Sequence, residues 1–284
     1  MGRQPILTVA VGKKGVGKTY RTLELLKTYV KGTPTFKPRR VLILDTNNEF
    51  VGVPSIDIKN IGWFSRHPKI EMRRVRVFHP NGKKMSLNEI SDTLGYILDN
   101  FIDGALLIED INKFTGDTLN TELIGGIVTQ RHMDCDIILH FQSIGRAGQP
   151  KILGNMNVLR MHKTFDSVDR HQNKFEDRYE IVKIGENIVN MKYRGYELDG
   201  RVVPPNERFA LYCDFDRDKI VGDFTRREVE ECVKEYIWAN ESVTIKPMLR
   251  KRDDEGNFKY TDRTVLKAKV DDLVDLYFTF KKAS

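Results

Sequence analysis

The chain has 284 residues, of which 40% are hydrophobic and 31% are charged, as is typical of a soluble globular protein. No apolar run approaches the roughly 20 residues that span a bilayer, and the first predicted strand begins by Ile6, so we expect neither a membrane segment nor a signal peptide. The three cysteines are far apart and the six histidines show no metal-ligand spacing, so we expect no disulfide and no structural metal. The formal net charge of +7 permits nucleic-acid binding without requiring it.

The first element along the chain leads into a phosphate-binding pattern. Residues 12–19, with the sequence GKKGVGKT, fit G-x-x-x-x-G-K-[ST] at every fixed position, between an apolar run and a segment with helical spacing. We expect Lys18 to reach the β- and γ-phosphates and Thr19 to hold Mg²⁺. Lys13 and Lys14 either add positive charge near the nucleotide or are exposed loop lysines. The predicted nucleotide-binding residues are Gly12, Lys13, Lys14, Gly15, Val16, Gly17, Lys18 and Thr19.

Four apolar runs downstream predict buried parallel strands. They are Val41–Asp45, Ala105–Asp110, Asp136–Phe141 and, as a weaker match, Asn157–Met161. A capping box at Ser86–Glu89 predicts a helix that ends near Phe101. Strands that alternate with helices predict an α/β fold, in which a doubly wound, mainly parallel sheet carries helices on both faces.

Two stretches between these strands have less regular patterns. Residues 51–82 are predicted to be irregular, with short strands near Ile56–Ile58 and Val75–Phe78. Residues 117–130 are predicted to form a helix, although two glycines interrupt the apolar spacing. Both stretches precede strands that end in polar side chains.

The pattern changes after about residue 180. Residues 187–203 resemble a hairpin with a turn at Asp199-Gly200, and Arg208–Asp214 is a further predicted strand. A capping box at Thr225–Glu228 begins a helix, residues 240–260 are expected to be polar and mobile, and a last amphipathic helix follows. The predicted domains are an ATPase domain, 1–224, and a small C-terminal extension with helices, 225–284.

Polar residues at two strand ends supply candidate catalytic groups. Triphosphate hydrolysis needs an acid for the metal and a group that orients the attacking water. Buried strand 105–108 leads into Glu109 and Asp110, where a doubly wound sheet places its ligands. We assign Glu109 to Mg²⁺ through water and Asp110 to the attacking water, and leave open which acid is the base. Gln142 ends the next strand, where its amide could touch both the γ-phosphate and the water.

With these motifs in this order, the chain resembles the HerA–FtsK branch of P-loop ATPases, which includes viral genome-packaging ATPases. The resemblance spans residues 5–165 and rests on the phosphate loop, the strand Val41–Asp45 with Glu49-Phe50 beyond it, the acids, and Gln142. It implies a RecA-like sheet of strand order 5-1-4-3-2, in which the Gln142 strand lies between the phosphate-loop strand and the acid-bearing strand. The acid pair departs from the usual order of Asp followed by Glu.

The resemblance also implies a shared active site. The family carries an arginine just before the Gln-bearing strand that enters a neighbouring subunit's site, and Arg131 stands at that position, with Arg146 and Arg160 as rivals. An arginine supplied in trans implies a homo-oligomeric ring. The candidate contacts to DNA phosphates are Lys113, Lys83 and Lys84.

Taken together, these features predict an ATP-hydrolysing DNA translocase that uses ATP and Mg²⁺ and acts as a viral genome-packaging motor. Its expected partners are double-stranded DNA, bound without sequence preference, further copies of the chain and a capsid portal. Its expected location is the cytoplasm, the host's if the chain is viral, or the virion. The alternatives are a Zot-like phage assembly or export ATPase, a conjugation-type ATPase and a small-molecule kinase. A kinase should carry an arginine-rich lid over the phosphates, and Arg73-Arg74-Arg76 resembles one but precedes the acid-bearing strand instead of following it.

Overall fold

One mostly parallel sheet organises the described part of the chain. The computed structural model describes residues 4–111, 125–127, 129, 133–147 and 149–280. The strands of the sheet are β1 (Leu7–Val11), β2 (Arg40–Asp45), β3 (Met72–Arg76), β4 (Gly104–Ile108), β5 (Cys135–Phe141), β6 (Val158–Met161), β7 (Leu211–Asp214) and β8 (Lys219–Val221). The helices in these ranges are α1 (Lys18–Lys31), α2 (Ile61–Arg66), α3 (Leu87–Asn100), α4 (Ile144–Ala147), α5 (Pro150–Asn155), α6 (Gln172–Phe175), α7 (Tyr179–Leu198), α8 (Arg226–Leu249) and α9 (Asp262–Tyr277).

The strand order is β3-β2-β4-β5-β1-β6-β7-β8. Within it, the run β2-β4-β5-β1-β6 is the predicted order 5-1-4-3-2 read from the other edge. The differences are three added strands: β3 pairs parallel with β2, and β7 and β8 continue antiparallel beyond β6. Since β1, β2, β4 and β5 run parallel, their carboxyl ends meet at one edge of the sheet.

The central strands form because their side chains are buried on both faces. Every residue of β4 and β5 is buried, as expected of parallel strands covered by helices on each side. On one face Leu26 of α1 packs with apolar side chains of β2, β4 and β5. The larger core on the other face includes side chains of α3, α7 and α8. The predicted doubly wound α/β class is therefore confirmed.

A buried ion cluster joins the amino ends of three strands. The Arg39 guanidinium lies 3.5 Å from Asp136 Oδ2 and 3.3 Å from Asp103 Oδ1. Asp136 is itself buried, and its other oxygen accepts the Ile6 backbone N–H at 2.7 Å. A buried carboxylate paired in this way fixes the starts of β1, β2 and β5 relative to one another.

Both predicted capping boxes are present. Ser86 and Glu89 exchange side-chain and backbone hydrogen bonds at the start of α3, and Thr225 and Glu228 do the same at the start of α8. Such reciprocal bonds satisfy N–H groups that a helix start otherwise leaves without partners. None of the helices that the structure describes is long and apolar enough to cross a bilayer.

The predicted hairpin at residues 187–203 is wrong, because this segment belongs largely to the helix α7. Buried Val182, Ile184 and Ile188 belong to an apolar face that starts before residue 187, so the helix is already established there. The turn signal at Asp199-Gly200 is real, since Gly200 has a φ of 61°. It follows the end of a helix, however, and does not join two strands.

Two other expectations needed correction. Helix α8 continues to Leu249, and Ile245 is fully buried, so the first half of segment 240–260 is ordered helix. In segment 51–82, the strand is Met72–Arg76, and residues 58–60 form a 3₁₀ turn. The predicted helix at 117–130 lies mostly outside the described residues. The domain division at 224/225 stays a prediction.

Candidate functional site

The phosphate loop connects the buried strand β1 to helix α1. Its backbone turns at Gly15 and Gly17, whose φ angles of 81° and 87° favour glycine. A Cβ on Gly17 would also lie 2.4 Å from the Pro205 carbonyl oxygen, so a side chain there would collide with backbone. The loop therefore needs glycine for its own turn and for the close approach of the segment before β7.

Lys18 and Thr19 begin helix α1 beside a group of acids. The Lys18 ammonium donates to the carbonyl oxygens of Gly12 and of Lys13, the latter at 3.1 Å. Burial lowers the pKa of Lys18, against the raising effects of Asp110 and Glu49. The Thr19 hydroxyl donates to Glu49 Oε2 at 3.1 Å. The loop carbonyls thus hold the Lys18 side chain, and an acid holds that of Thr19.

A cavity of about 490 Å³ lies over this loop and collects most of the predicted site. Its lining includes polar side chains that could contact phosphate, metal or water, among them Lys18, Thr19, Glu49, Glu109, Asp110 and Gln142. Lys14, Gly15 and Gly17 also line it. Lys13 and Val16 instead line a neighbouring cavity, where the Lys13 ammonium lies 5.2 Å from the Phe165 ring centre.

Asp110 connects three strand ends. Its Oδ2 accepts the side-chain amide of Asn47 at 2.9 Å and that of Gln142 at 3.0 Å. Asn47 follows β2, Asp110 follows β4 and Gln142 follows β5, so the parallel sheet brings the three together. Asp110 also has a φ of 45°, a left-handed conformation uncommon for residues other than glycine. The two amides fix the direction of this carboxylate.

Glu109 is buried, and its Oε2 makes no hydrogen bond within the part of the chain that the structure describes. Burial and, next, the nearby carboxylates of Glu49, Asp45 and Asp110 raise the pKa of Glu109 to about 9. A hydrogen bond shared with Glu49 contributes to the same increase. A carboxyl group with this pKa keeps its proton at neutral pH.

Asn47 and Glu49 are site residues to which the sequence analysis gave no role. They lie in the loop after β2, which buried Asp45 holds in place by accepting the backbone N–H groups of Glu49 at 2.9 Å and Phe50 at 3.2 Å. Arg74 completes the support at 2.7 Å from Asp45. The available signal was position, because this polar loop follows a buried strand at the edge of the sheet where ligands bind.

The donor set fits a magnesium ion that is shared with phosphate. The oxygens that face the loop are those of Thr19, Glu49 and Glu109, and Mg²⁺ prefers oxygen ligands. The buried Oε2 of Glu109 is an oxygen for which the described residues supply no hydrogen-bond donor. Among the described residues no group of three or more acids, histidines or cysteines could hold a metal alone. Phosphate oxygens and water would complete the coordination.

Several predicted residues lie elsewhere. Arg131 and Lys113 fall outside the described residues. Arg146 is exposed on α4, close after Gln142. Arg160 is fully buried on β6, so it cannot be the arginine that enters a neighbouring site.

Lys83 and Lys84 are exposed in the turn before α3, and their contact with DNA stays a prediction. The run Arg73-Arg74-Arg76 cannot form the phosphate-covering lid of a kinase, because Arg74 on β3 is buried and pairs with Asp45. A side chain that supports the loop after β2 from within cannot also close over the phosphates.

No family model matches the sequence, and no curated protein matches it significantly. Among solved structures, the chain is similar to B204, the DNA-packaging ATPase from Sulfolobus Turreted Icosahedral Virus, with 13% identity over 78% of this chain and 98% of that one and a TM-score of 0.49. It is also similar to the N-terminal domain of zonular occludens toxin from Neisseria meningitidis, with 12% identity over 56% and 76% and a TM-score of 0.33. A third is the pCW3 conjugation coupling protein TcpA, with 9% identity over 74% and 57% and a TM-score of 0.38. At these identities and TM-scores, function has to be argued from this chain's own residues.

Proposed function

We propose that the chain is an ATP-hydrolysing motor that works as a homo-oligomeric ring and moves double-stranded DNA, as a viral genome-packaging ATPase does. The observation that carries the hydrolase part is the position of Asp110. Its carboxylate is oriented by Asn47 and Gln142 and lines the same cavity as Lys18 and Thr19. An oriented carboxylate and an amide beside a phosphate loop are the groups that hydrolysis requires.

The acids of the site fall into two groups with different neighbours. Asp110 and Gln142 form the pair suited to orient an attacking water, because the carboxylate of Asp110 and the amide of Gln142 both line the cavity. The carboxylate can accept a hydrogen bond from the water, and the amide can donate or accept one. Glu109 and Glu49 lie on the side of Thr19, where Glu49 accepts the hydroxyl hydrogen bond. We therefore assign Asp110 to the water and Glu109, with Glu49 and Thr19, to the metal.

Charge balance supports this division. Protonated Glu109 can ionise when positive charge arrives beside it, since its raised pKa reflects burial among other acids. Bound Mg²⁺ would neutralise charge that develops on the phosphates. Lys18 would leave the Gly12 and Lys13 carbonyls for the β- and γ-phosphates, which are stronger acceptors.

The ring and the DNA substrate are supported by the topology of the sheet and by the net charge. The strand order and the position of Gln142 agree with the HerA–FtsK resemblance, and the formal net charge of +7 suits a polyanionic partner. The neighbouring subunit's arginine would be Arg131 or Arg146, and Lys83, Lys84 and Lys113 would contact phosphates without reading bases. A capsid portal is the proposed docking partner.

The test is the steady-state ATPase rate of the full chain with and without duplex DNA, in the wild type and in Asp110→Asn. We expect hydrolysis that duplex DNA stimulates, that falls steeply as salt increases, and that the variant loses. A rate that ignores DNA in a protein that stays monomeric with nucleotide would reject the motor and favour a Zot-like role. Phosphate transfer to a small molecule without net hydrolysis would instead indicate a kinase.

A further inference from the structure

Arg160 is the largest fully buried side chain among the described residues, and it lies under the phosphate loop. It pairs across the sheet with Ala10 of β1 on one side and with Tyr212 of β7 on the other. His140 of β5 pairs with Ala10 from the opposite direction. The four residues form a row across β5, β1, β6 and β7, in which the small alanine separates two larger polar side chains.

This row supports the first turn of α1 through hydrogen bonds. The Arg160 guanidinium donates to the Thr22 hydroxyl and, at 3.3 Å, to the Lys18 carbonyl oxygen. The Thr22 hydroxyl also lies 2.8 Å from His140 Nε2. The start of the helix that presents Lys18 therefore rests on a polar network, whereas Leu26 one turn later packs into an apolar core.

Two other buried arginines have carboxylate partners of a kind that Arg160 lacks. Arg39 lies beside Asp136 and Arg74 beside Asp45, but no ion pair links Arg160 to a carboxylate anywhere in the described ranges. The Arg160 guanidinium interacts with the Tyr212 hydroxyl, whereas its Nε and Nη1 make no hydrogen bond there. Arginine stays charged in proteins, and an unpaired buried charge is strongly unfavourable.

Neighbouring histidines add no charge of their own. Burial, and next the charge of Arg160, hold the pKa of His140 well below its usual range, and the same causes act on His162. Both rings are therefore neutral at physiological pH. Positive groups beneath and within the loop include Arg160, Lys18, Lys13 and Lys14, which is an arrangement suited to a polyanionic ligand.

We infer that Arg160 is a positioning residue for the phosphate loop, and that a bound triphosphate supplies the negative charge that the described residues do not. The inference rests on the proposed nucleotide binding at residues 12–19. Hydrogen bonds from Arg160 fix the Lys18 carbonyl and the Thr22 hydroxyl from the sheet side. The positive electrostatic potential of Arg160 favours a phosphate group on the other side of the loop. The free protein bears the unfavourable charge, and nucleotide binding relieves it.

The experiment compares Arg160→Met and Arg160→Gln, which remove the charge, with Arg160→Lys, which keeps it. The matched control is Arg39→Met, a buried arginine at the opposite end of the sheet. Measurements are the dissociation constant for Mg·ATPγS, the KM and kcat for ATP, and the melting temperature without nucleotide. For the neutral variants we expect roughly tenfold weaker binding and a higher KM, which corresponds to about 1.4 kcal/mol, with a much smaller change in kcat.

The remaining variants distinguish an effect of the Arg160 charge on nucleotide binding from an effect on the stability of the fold. Arg160→Lys should bind nearly as well as the wild type. Arg39→Met should melt at a lower temperature, since it removes the ion pair of Arg39 with buried Asp136, but bind nucleotide normally. The neutral Arg160 variants should melt no lower than the wild type. The inference would be overturned if the neutral variants bound nucleotide as tightly as the wild type, or if their loss of affinity equalled that of Arg160→Lys. Failure of the neutral variants to fold would overturn it as well. Failure of the wild type itself to bind Mg·ATPγS would reject the proposed function instead.

Discussion

The side-chain amide of Gln142 donates to Asp110 Oδ2 over 3.0 Å, which connects the ends of two adjacent parallel strands at the mouth of the phosphate loop. Asp110 receives a second amide from Asn47 at 2.9 Å. A carboxylate that accepts two amide hydrogen bonds keeps its direction. This arrangement leads to the first prediction.

Replacing Gln142 with alanine should lower kcat for ATP hydrolysis by roughly 100-fold while KM changes little, because the amide would act on the water and the transferred phosphate. Steady-state kinetics with saturating Mg²⁺ measure both constants. The matched control is Gln172→Ala, an exposed glutamine on α6. A Gln142→Ala enzyme that keeps its kcat would show that this amide only supports Asp110 structurally.

The second prediction concerns Glu109 and the pH dependence of stability. Its pKa of about 9 in the folded protein lies above the ordinary value of 4.5, so the bound proton stabilises the fold fully below pH 4.5. That contribution is lost as the pH rises from 4.5 toward 9, by at most about 1.4 kcal/mol per pH unit. Glu109→Gln mimics the protonated form and should lack this loss.

Melting curves of both proteins between pH 5 and 9, without nucleotide, give the comparison. The variant should melt above the wild type by a margin that grows with pH, since all other groups titrate in both. Parallel pH profiles for the two proteins would contradict the burial of an ionisable Glu109. The same variant should bind nucleotide yet hydrolyse it poorly.

The third prediction tests Glu49, which accepts the Thr19 hydroxyl hydrogen bond at 3.1 Å. Glu49→Gln should raise the Mg²⁺ concentration needed for half-maximal ATPase activity by roughly tenfold, because one negative charge beside the metal is removed. A magnesium titration at fixed ATP measures this. Glu24→Gln is the control, since Glu24 is an exposed acid on α1 that pairs with Lys27. An unchanged magnesium requirement in Glu49→Gln would exclude Glu49 from the metal site.

The fold could be predicted from sequence wherever one local pattern decided the element. Runs such as Ala105–Ile108 are apolar throughout, and such runs fit buried parallel strands. The hairpin prediction at 187–203 is wrong because the helical apolar spacing begins earlier, near Ile181, and continues through this segment. The two-residue turn signal after it fits a hairpin and a helix end equally well. The turn at Gly200 ends a helix, and the dipeptide alone does not distinguish the two cases.

The site could be predicted only where its residues belong to a motif or end a buried strand. Lys18, Glu109 and Gln142 satisfy that condition. Asn47 does not, and Glu49 belongs only to a matched piece of the resemblance that gives it no role. Both reach the cavity through a loop whose shape depends on the contact between Asp45 and the distant Arg74. The burial of Arg160 also could not be predicted from the sequence, since a charged residue in a short strand is more often exposed.

The fourth prediction concerns shared sites. Lys18→Ala should abolish nucleotide binding in its own subunit, because Lys18 is the loop cation nearest the phosphates. If a neighbour completes each site, mixtures of variant and wild-type chains should lose activity faster than the fraction of wild-type chains falls. ATPase rates over a range of mixing ratios show the dependence. A strictly proportional decline would mean that each subunit hydrolyses ATP alone.

We propose that nucleotide-bound copies of this chain surround DNA. Particle imaging of the full chain with Mg·ATPγS and duplex DNA tests this arrangement. We expect closed rings with a central pore that holds the duplex, and Arg131 or Arg146 of one subunit near the phosphate loop of the next. Particles that remain monomeric with nucleotide and DNA present would contradict it.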